Sequence, residues 1–163
     1  MANFVPQGNS HVIAQAIDAN ETSQKLPLGT IITAVDNAST ALGSGEFIYL
    51  QGVASTAVGS VVVYNADDYS TTLAAANAKG PVAVAMSASV ANEYGWYQIQ
   101  GKGSAKALTG FADDADCYLT ATAGSIDDAV VSGDYITGMK GASAVSGGVA
   151  DVELSRPFVT DGL

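Results

Sequence analysis

His11 and Cys117 are each the single residue of their kind in this 163-residue chain. A Ser-His-Asp or Cys-His arrangement needs its imidazole held beside a nucleophile by a fixed scaffold. His11 instead sits among Asn and Gln residues in an N-terminal stretch with no sustained period, and reads as facing solvent or a partner. Cys117 opens an apolar stretch, where a free Cys behaves as a small hydrophobe. With no second Cys and one distant His, no zinc site is expected. A lone Cys also fits synthesis in a reducing compartment. The remaining ligand-like residues are acidic: Asp113, Asp114 and Asp116, then Asp127 and Asp128, and the pair Asp67 and Asp68. Loop carboxylates can hold Ca²⁺, but the EF-hand spacing is absent. The plainer reading is solvated turns in which Asp bonds its own backbone. No pair of carboxylates is marked by an aromatic platform as a glycosidase would require.

The glycines form no phosphate cradle. Gly101-Lys102-Gly103-Ser104 lacks the spacer and the strand-to-helix setting of a P-loop, and Gly43-Ser44-Gly45 leads into a strand. Both read as turn glycines. The expectation is therefore a protein that is not an enzyme and needs no cofactor and no metal. The aromatic run around Tyr94, Trp96 and Tyr97 is the remaining feature of interest. It contains the only Trp, between Gly95 and Gly101. On a strand, Trp96, Gln98 and Gln100 share one face, and Tyr97 and Ile99 the other. One aromatic face is expected in the core, and the second at an interface, where Trp and Tyr are enriched.

The elements that would position these residues are strands. Glu46–Leu50 alternates. Ser60–Tyr64 is a continuous apolar run that implies cover on both faces. In Pro81–Ser87, Val82 and Val84 alternate with Ala83 and Ala85. Further strands are expected at Thr30–Val35, Tyr69–Leu73, Gly95–Gln100, Gly103–Leu108, Cys117–Ala123, Tyr135–Met139 and Gly148–Leu154. Turn residues recur every ~8–12 positions, as in a sandwich or barrel. The expected fold is all-β: one β-sandwich or β-barrel-like body over residues 26–163, preceded by an extended N-terminal arm over residues 1–25. Phe4, Val5, Val12, Ile13 and Ile17 would dock that arm on a partner or on the body.

Composition narrows the function. The net charge is −10, from 16 acidic and 6 basic residues, with no basic cluster. Such a surface repels phosphate backbones and anionic membranes, so neither nucleic acid nor membrane is an expected partner. Only 13% of residues are charged, about half the usual share, and Gly is abundant at 18. No stretch approaches the ~20 apolar residues of a membrane span. The first residues show no basic region followed by an apolar run, so no secretory leader is expected.

Several segments together resemble the small capsid cement, or decoration, proteins of tailed bacteriophages. They are Leu26–Gly29, Gly45–Gly52 (GEFIYLQG), Gly59–Tyr64, Gly80–Ala85, Tyr94–Gly101 (YGWYQIQG), Thr120–Asp128 and Val152–Val159 (VELSRPFV). The resemblance covers residues 26–159, and its weight lies in the order of short motifs. It implies a structural virion protein, made in the host cytoplasm, that binds the outer surface of an expanded capsid. There it would stabilise the shell by bridging major capsid protein subunits as a homo-oligomer, a trimer ahead of a dimer. On this reading Phe4, Val5, His11, Val12 and Ile13 are candidate capsid contacts on the arm, and Tyr94, Trp96 and Tyr97 candidate interface aromatics. Deleting residues 2–20 would leave a folded body that binds shells weakly. The alternative is a carbohydrate-binding or adhesin module using the aromatic strand and the acidic loops.

Overall fold

The computed structural model describes residues 3–7, 14–38 and 41–160. They form twelve strands and no helix. In chain order these are β1 (Phe4–Pro6), β2 (Asn20–Glu21), β3 (Ile31–Asp36), β4 (Ser44–Gln51), β5 (Val61–Tyr64) and β6 (Thr71–Leu73). They continue with β7 (Gly80–Ala85), β8 (Tyr94–Lys106), β9 (Asp116–Leu119), β10 (Ile126–Asp127), β11 (Tyr135–Gly141) and β12 (Val149–Val159). The fold is all-β. The strands join one branched antiparallel sheet whose main path runs β1-β3-β4-β8-β7-β12-β11-β9-β10, with β5 beside β7 and β6 beside β5.

One long strand organises this sheet. Over Tyr94–Gly101, β8 pairs with β4. Over Gln100–Lys106 it pairs with β12. The change of partner falls at Gly101, whose φ is +93°. Sequence reading ends the strand there, because a glycine flanked by polar residues looks like a turn. The strand continues because Gln98, fully buried, staples the bend. Its Nε2 donates to Gln100 O at 3.1 Å and to Lys102 O at 3.0 Å, satisfying carbonyls that a bent strand leaves unpaired. Gly101–Ser104 is therefore strand, not turn, and so are Ser44 and Gly45, which open β4. β12 bends in step. Arg156 has φ +44°, and the strand passes from β8 at Ser155 to β7 at Phe158.

Alternation sorts the side chains. On one face of β4, β8, β7 and β5 lie Ile48, Leu50, Tyr97, Ile99, Ala83, Ala85 and Val62, under Tyr64, Tyr69 and Leu73. The opposite face is divided. Towards β4 it carries Phe47, Tyr49 and Trp96. Towards β5 and β7 it carries Val61, Val63, Val82 and Val84, which pack on inward residues of β9–β12 such as Leu119, Ile136 and Val152. The double cover implied by the Val61–Val63 run is thus present. The distal edge also returns to β8: Ile126 forms a parallel bridge with Ala107, and Leu108 N donates to Ile126 O at 2.9 Å.

Of the two dockings expected for residues 1–25, the described part shows the one on the body. β1 pairs with β3 over Phe4–Pro6, and β2 pairs with β8 at Asn20 and Glu21. Phe4 and Ile17 are buried against Phe47 and Trp96. Phe4, Gln15 and Ile17 of the described N-terminal segment are thus core residues, sharing the cover of the Phe47–Tyr49–Trp96 face with Leu26, Leu28, Ile32, Leu42 and Met86.

The bend sets a clear expectation. A Cβ at Gly101 would stand 2.3 Å from Ser44 O, whereas one at Gly43 (φ +64°) meets nothing within 4 Å. Gly43→Ala should cost about 1 kcal/mol, for left-handed backbone alone. Gly101→Ala should cost roughly 2–4 kcal/mol, because strain and a backbone clash add. Urea unfolding of the two variants measures the difference; equal costs would show that β8 does not depend on this bend.

Candidate functional site

The aromatic strand is fully used inside the molecule. Trp96 is buried, its ring centroid 5.1 Å from that of Tyr49, and its Nε1 donates to Gln15 O at 3.1 Å. Tyr97 is buried on the other face, and desolvation raises its phenol pKa, with the Ser89, Thr71 and Thr56 hydroxyls nearby opposing that rise. Tyr94 is half-buried, stacked with Tyr49 at 6.4 Å. The expectation that Trp96 and Tyr97 reach an interface is overturned. β4 and β8 are covered on both faces, by the N-terminal segment on one and by the β5–β6 region on the other. The same burial leaves Trp96 and Tyr97 no exposed ring face for a sugar, whereas Tyr94 is half-buried.

Of the arm residues, Phe4 is buried and Val5, its outward neighbour on β1, is exposed. His11, Val12 and Ile13 lie outside the described residues. Gln15, which the sequence reading passed over, does more than any of these. Its Oε1 accepts from Tyr49 Oη at 2.7 Å. Its Nε2 donates to Tyr94 O at 2.7 Å and to Ala19 O at 2.8 Å. Only a buried amide offers both functions at that spacing.

The acidic loops behave as turns. Asp68 Oδ1 accepts from Ser70 N and Oγ, which lowers its pKa. Asp113 accepts from Asp114 N, and Asp127 from Asp128 N. Asp128 also accepts from Ala112 N at 3.0 Å, tying two loops together. Among the described residues, no three His, Cys, Asp or Glu side chains come together as a metal group. Cys117 is fully buried, and desolvation, then Asp116 and Asp128, push its thiol up to about 12.

The surface feature with binding character lies elsewhere, on the outward face of β9, β11 and β12. Tyr118 and Tyr135 are cross-strand partners with ring centroids 5.4 Å apart. Thr137 and Phe158 are the next such pair, and Phe158 is 42% exposed. The loop after β10 adds Val130, 80% exposed, and Val131, 43% exposed. With Tyr118 and Tyr135 this loop walls an open groove of about 330 Å³. The alternation that buries Ile136 and Val159 points these residues outwards, and no element among the described residues covers them. Aromatic and large aliphatic residues grouped on an exposed strand face mark interaction surfaces. Their positions are scattered over some forty residues of sequence, so only the sheet register brings them together.

Comparison with known protein families, with curated proteins and with solved structures finds no match to this chain.

Two expectations follow. Gln15→Ala leaves Tyr49 Oη and two backbone carbonyls without their partner, so it should cost roughly 2–4 kcal/mol and red-shift Trp96 fluorescence. An unshifted spectrum with unchanged stability would show that the N-terminal segment does not hold the aromatic cluster. Deleting residues 2–20 should expose Trp96 in the same way, instead of leaving an intact body.

Alkali is the second. The folded state keeps Cys117, Tyr49 and Tyr97 protonated above their ordinary values of 9.0 for the thiol and 10.0 for the phenols. Below about pH 9 both states are protonated and stability is indifferent to these groups. As pH rises further the unfolded chain loses the protons first, so stability falls. Tm should be flat from pH 7 to 8.5 and then decline, and Cys117 should react with a thiol reagent at pH 8 only after unfolding. Rapid reaction of the native protein would contradict this account of the thiol.

Proposed function

We propose that this chain is a structural virion protein that binds the outer surface of an expanded phage capsid and stabilises it by bridging major capsid protein subunits. The observation that carries the reading is the outward face of Tyr118, Val130, Val131, Tyr135 and Phe158. It is apolar, open and displayed on a sheet, as a surface made to seat on another protein would be. The ordered motifs from Leu26 to Val159 that resemble capsid cement proteins support a capsid shell as the partner. The charge of −10 suits a protein that coats a shell without collecting on nucleic acid.

The mechanism is mechanical. Packed DNA presses outward on the shell. A protein seated across a subunit boundary adds buried area that must be lost before subunits part. Homo-oligomerisation, with a trimer matching three-fold positions on such shells, raises the effective concentration of each further contact. Strong single contacts are then unnecessary.

Co-sedimentation with expanded heads lacking this protein tests the reading. Saturable binding at a fixed ratio to the major capsid protein is expected, with heads that survive harsher heating. Val130→Asp and Tyr135→Asp, both at exposed positions, should keep the fold and together weaken binding at least tenfold. Absence of saturable binding by the unmodified protein would overturn the proposal.

A further inference from the structure

We infer that the outward face of β8, β12, β11 and β9 is where two copies of this chain pair, face to face, about a two-fold axis parallel to the strands. The inference does not rest on the capsid reading, although it uses the same face. One face cannot meet two partners at once, so the pair is the form of the free protein.

Charge sets the geometry. Lys102 on β8 lies directly opposite Glu153 on β12. Glu153 lies opposite Lys140 on β11, and Lys140 opposite Asp116 on β9. Direct cross-strand partners share a face, so the four form one row of alternating sign. Asp116, Lys140 and Glu153 are exposed, and Lys102 is half-buried, its Nζ 3.9 Å from Asp151 Oδ2. Neighbouring strands are about 4.8 Å apart, so the row is about 14 Å long.

Within one chain such neighbours steady the sheet a little, and that alone needs no partner. The order of signs adds more. A row reading plus, minus, plus, minus is its own complement when turned end for end. A second copy is laid on this face, rotated about an axis that runs along the strands between β12 and β11. Lys102 then meets Asp116 of the second copy, Glu153 meets its Lys140, and symmetry repeats both pairs. An axis across the strands would instead set every charge on its own kind. The first rotation also carries Lys106, farther along β8, towards the acidic Asp113 and Asp114 before β9 of the second copy.

At the other end of the strands the same rotation brings apolar groups together. Phe158 on β12 comes over β11 of the second copy, which presents Tyr135 and Thr137 there. Burying these exposed rings supplies affinity, and the charged row fixes the orientation. Three of the six basic residues, Lys102, Lys106 and Lys140, stand on this face. Asp116, Asp151 and Glu153 balance them, whereas the whole chain carries −10. Two copies therefore repel least through this face.

Sedimentation equilibrium of the full chain tests the pairing. No shell takes part, so its outcome is separate from that of the capsid reading. Twice the mass of the chain is expected for the unmodified protein. Lys140→Glu and Glu153→Lys, each at an exposed position, set like charges face to face twice. Each should weaken pairing at least tenfold. An equimolar mixture of the two variants restores opposite charge at every meeting point, so a heterodimer of near-native affinity should form. Mixing separate chains would not rescue a role that either residue plays within its own chain. A monomer or a trimer of the unmodified protein, reversals without effect, or no dimer in the mixture would each overturn the inference.

Discussion

The bend of β8 at Gly101 is the constraint from which the architecture follows. An antiparallel sheet of this many strands must curl, split or branch, because twist accumulates across it. Here it branches. One strand serves β4 with its first half and β12 with its second, and β7 fills the angle between them. The junction demands a positive φ, close approach of Ser44 O, and a donor for carbonyls that lose their ladder partners. Gly101 meets the first two demands and Gln98 the third. Each hydrogen bond of this kind is worth only ~1 kcal/mol net. The alternative to making them, two unpaired carbonyls beside a hydrophobic core, costs more.

Branching explains where the aromatic residues went. A flat sheet with one wet face would have left Trp96 or Tyr97 at the surface. Because β4 and the first half of β8 sit between two hydrophobic clusters, both rings are interior, and the N-terminal segment becomes a lid over the Trp96 side. Gln15 makes that lid specific, since Tyr49 Oη, Trp96 Nε1 and Tyr94 O converge on one residue. The exposed apolar surface is displaced to β9, β11 and β12, whose inward residues pack in the main core and whose outward residues meet no further layer among the described residues.

What was legible in the sequence was what depends on one strand at a time. The Val61–Val63 run announced cover on both faces. The Val82/Ala83/Val84/Ala85 alternation and the pattern from Val149 to Leu154 gave correct faces, as the burial of Ala150, Val152 and Leu154 shows. What was not legible depends on neighbours. Whether Trp96 has a free face is decided by Phe4 and Ile17, about ninety and eighty residues upstream. Gly101 reads as a chain reversal unless Gln98 is known to cap its carbonyls. The Tyr118–Tyr135 and Thr137–Phe158 pairs exist only in the register of three strands. The displayed aromatic face therefore carries no local signature.

The same bend accounts for a cavity of about 350 Å³. Gln98 needs glycine on both sides of its amide: a Cβ at Gly45 would stand 2.8 Å from Nε2, and one at Gly103 would stand 2.2 Å from Oε1. The staple therefore leaves two positions, Gly45 on β4 and Gly103 on β8, without side chains, and Gly103 lines the cavity. Large residues cannot close that gap from the strands, so it is walled by the periphery, by Phe4 from β1, Leu42 before β4 and Val58 before β5. A close-packed interior tolerates few such voids. This one lies beside Gly103, the position that the buried Gln98 amide keeps free of a side chain.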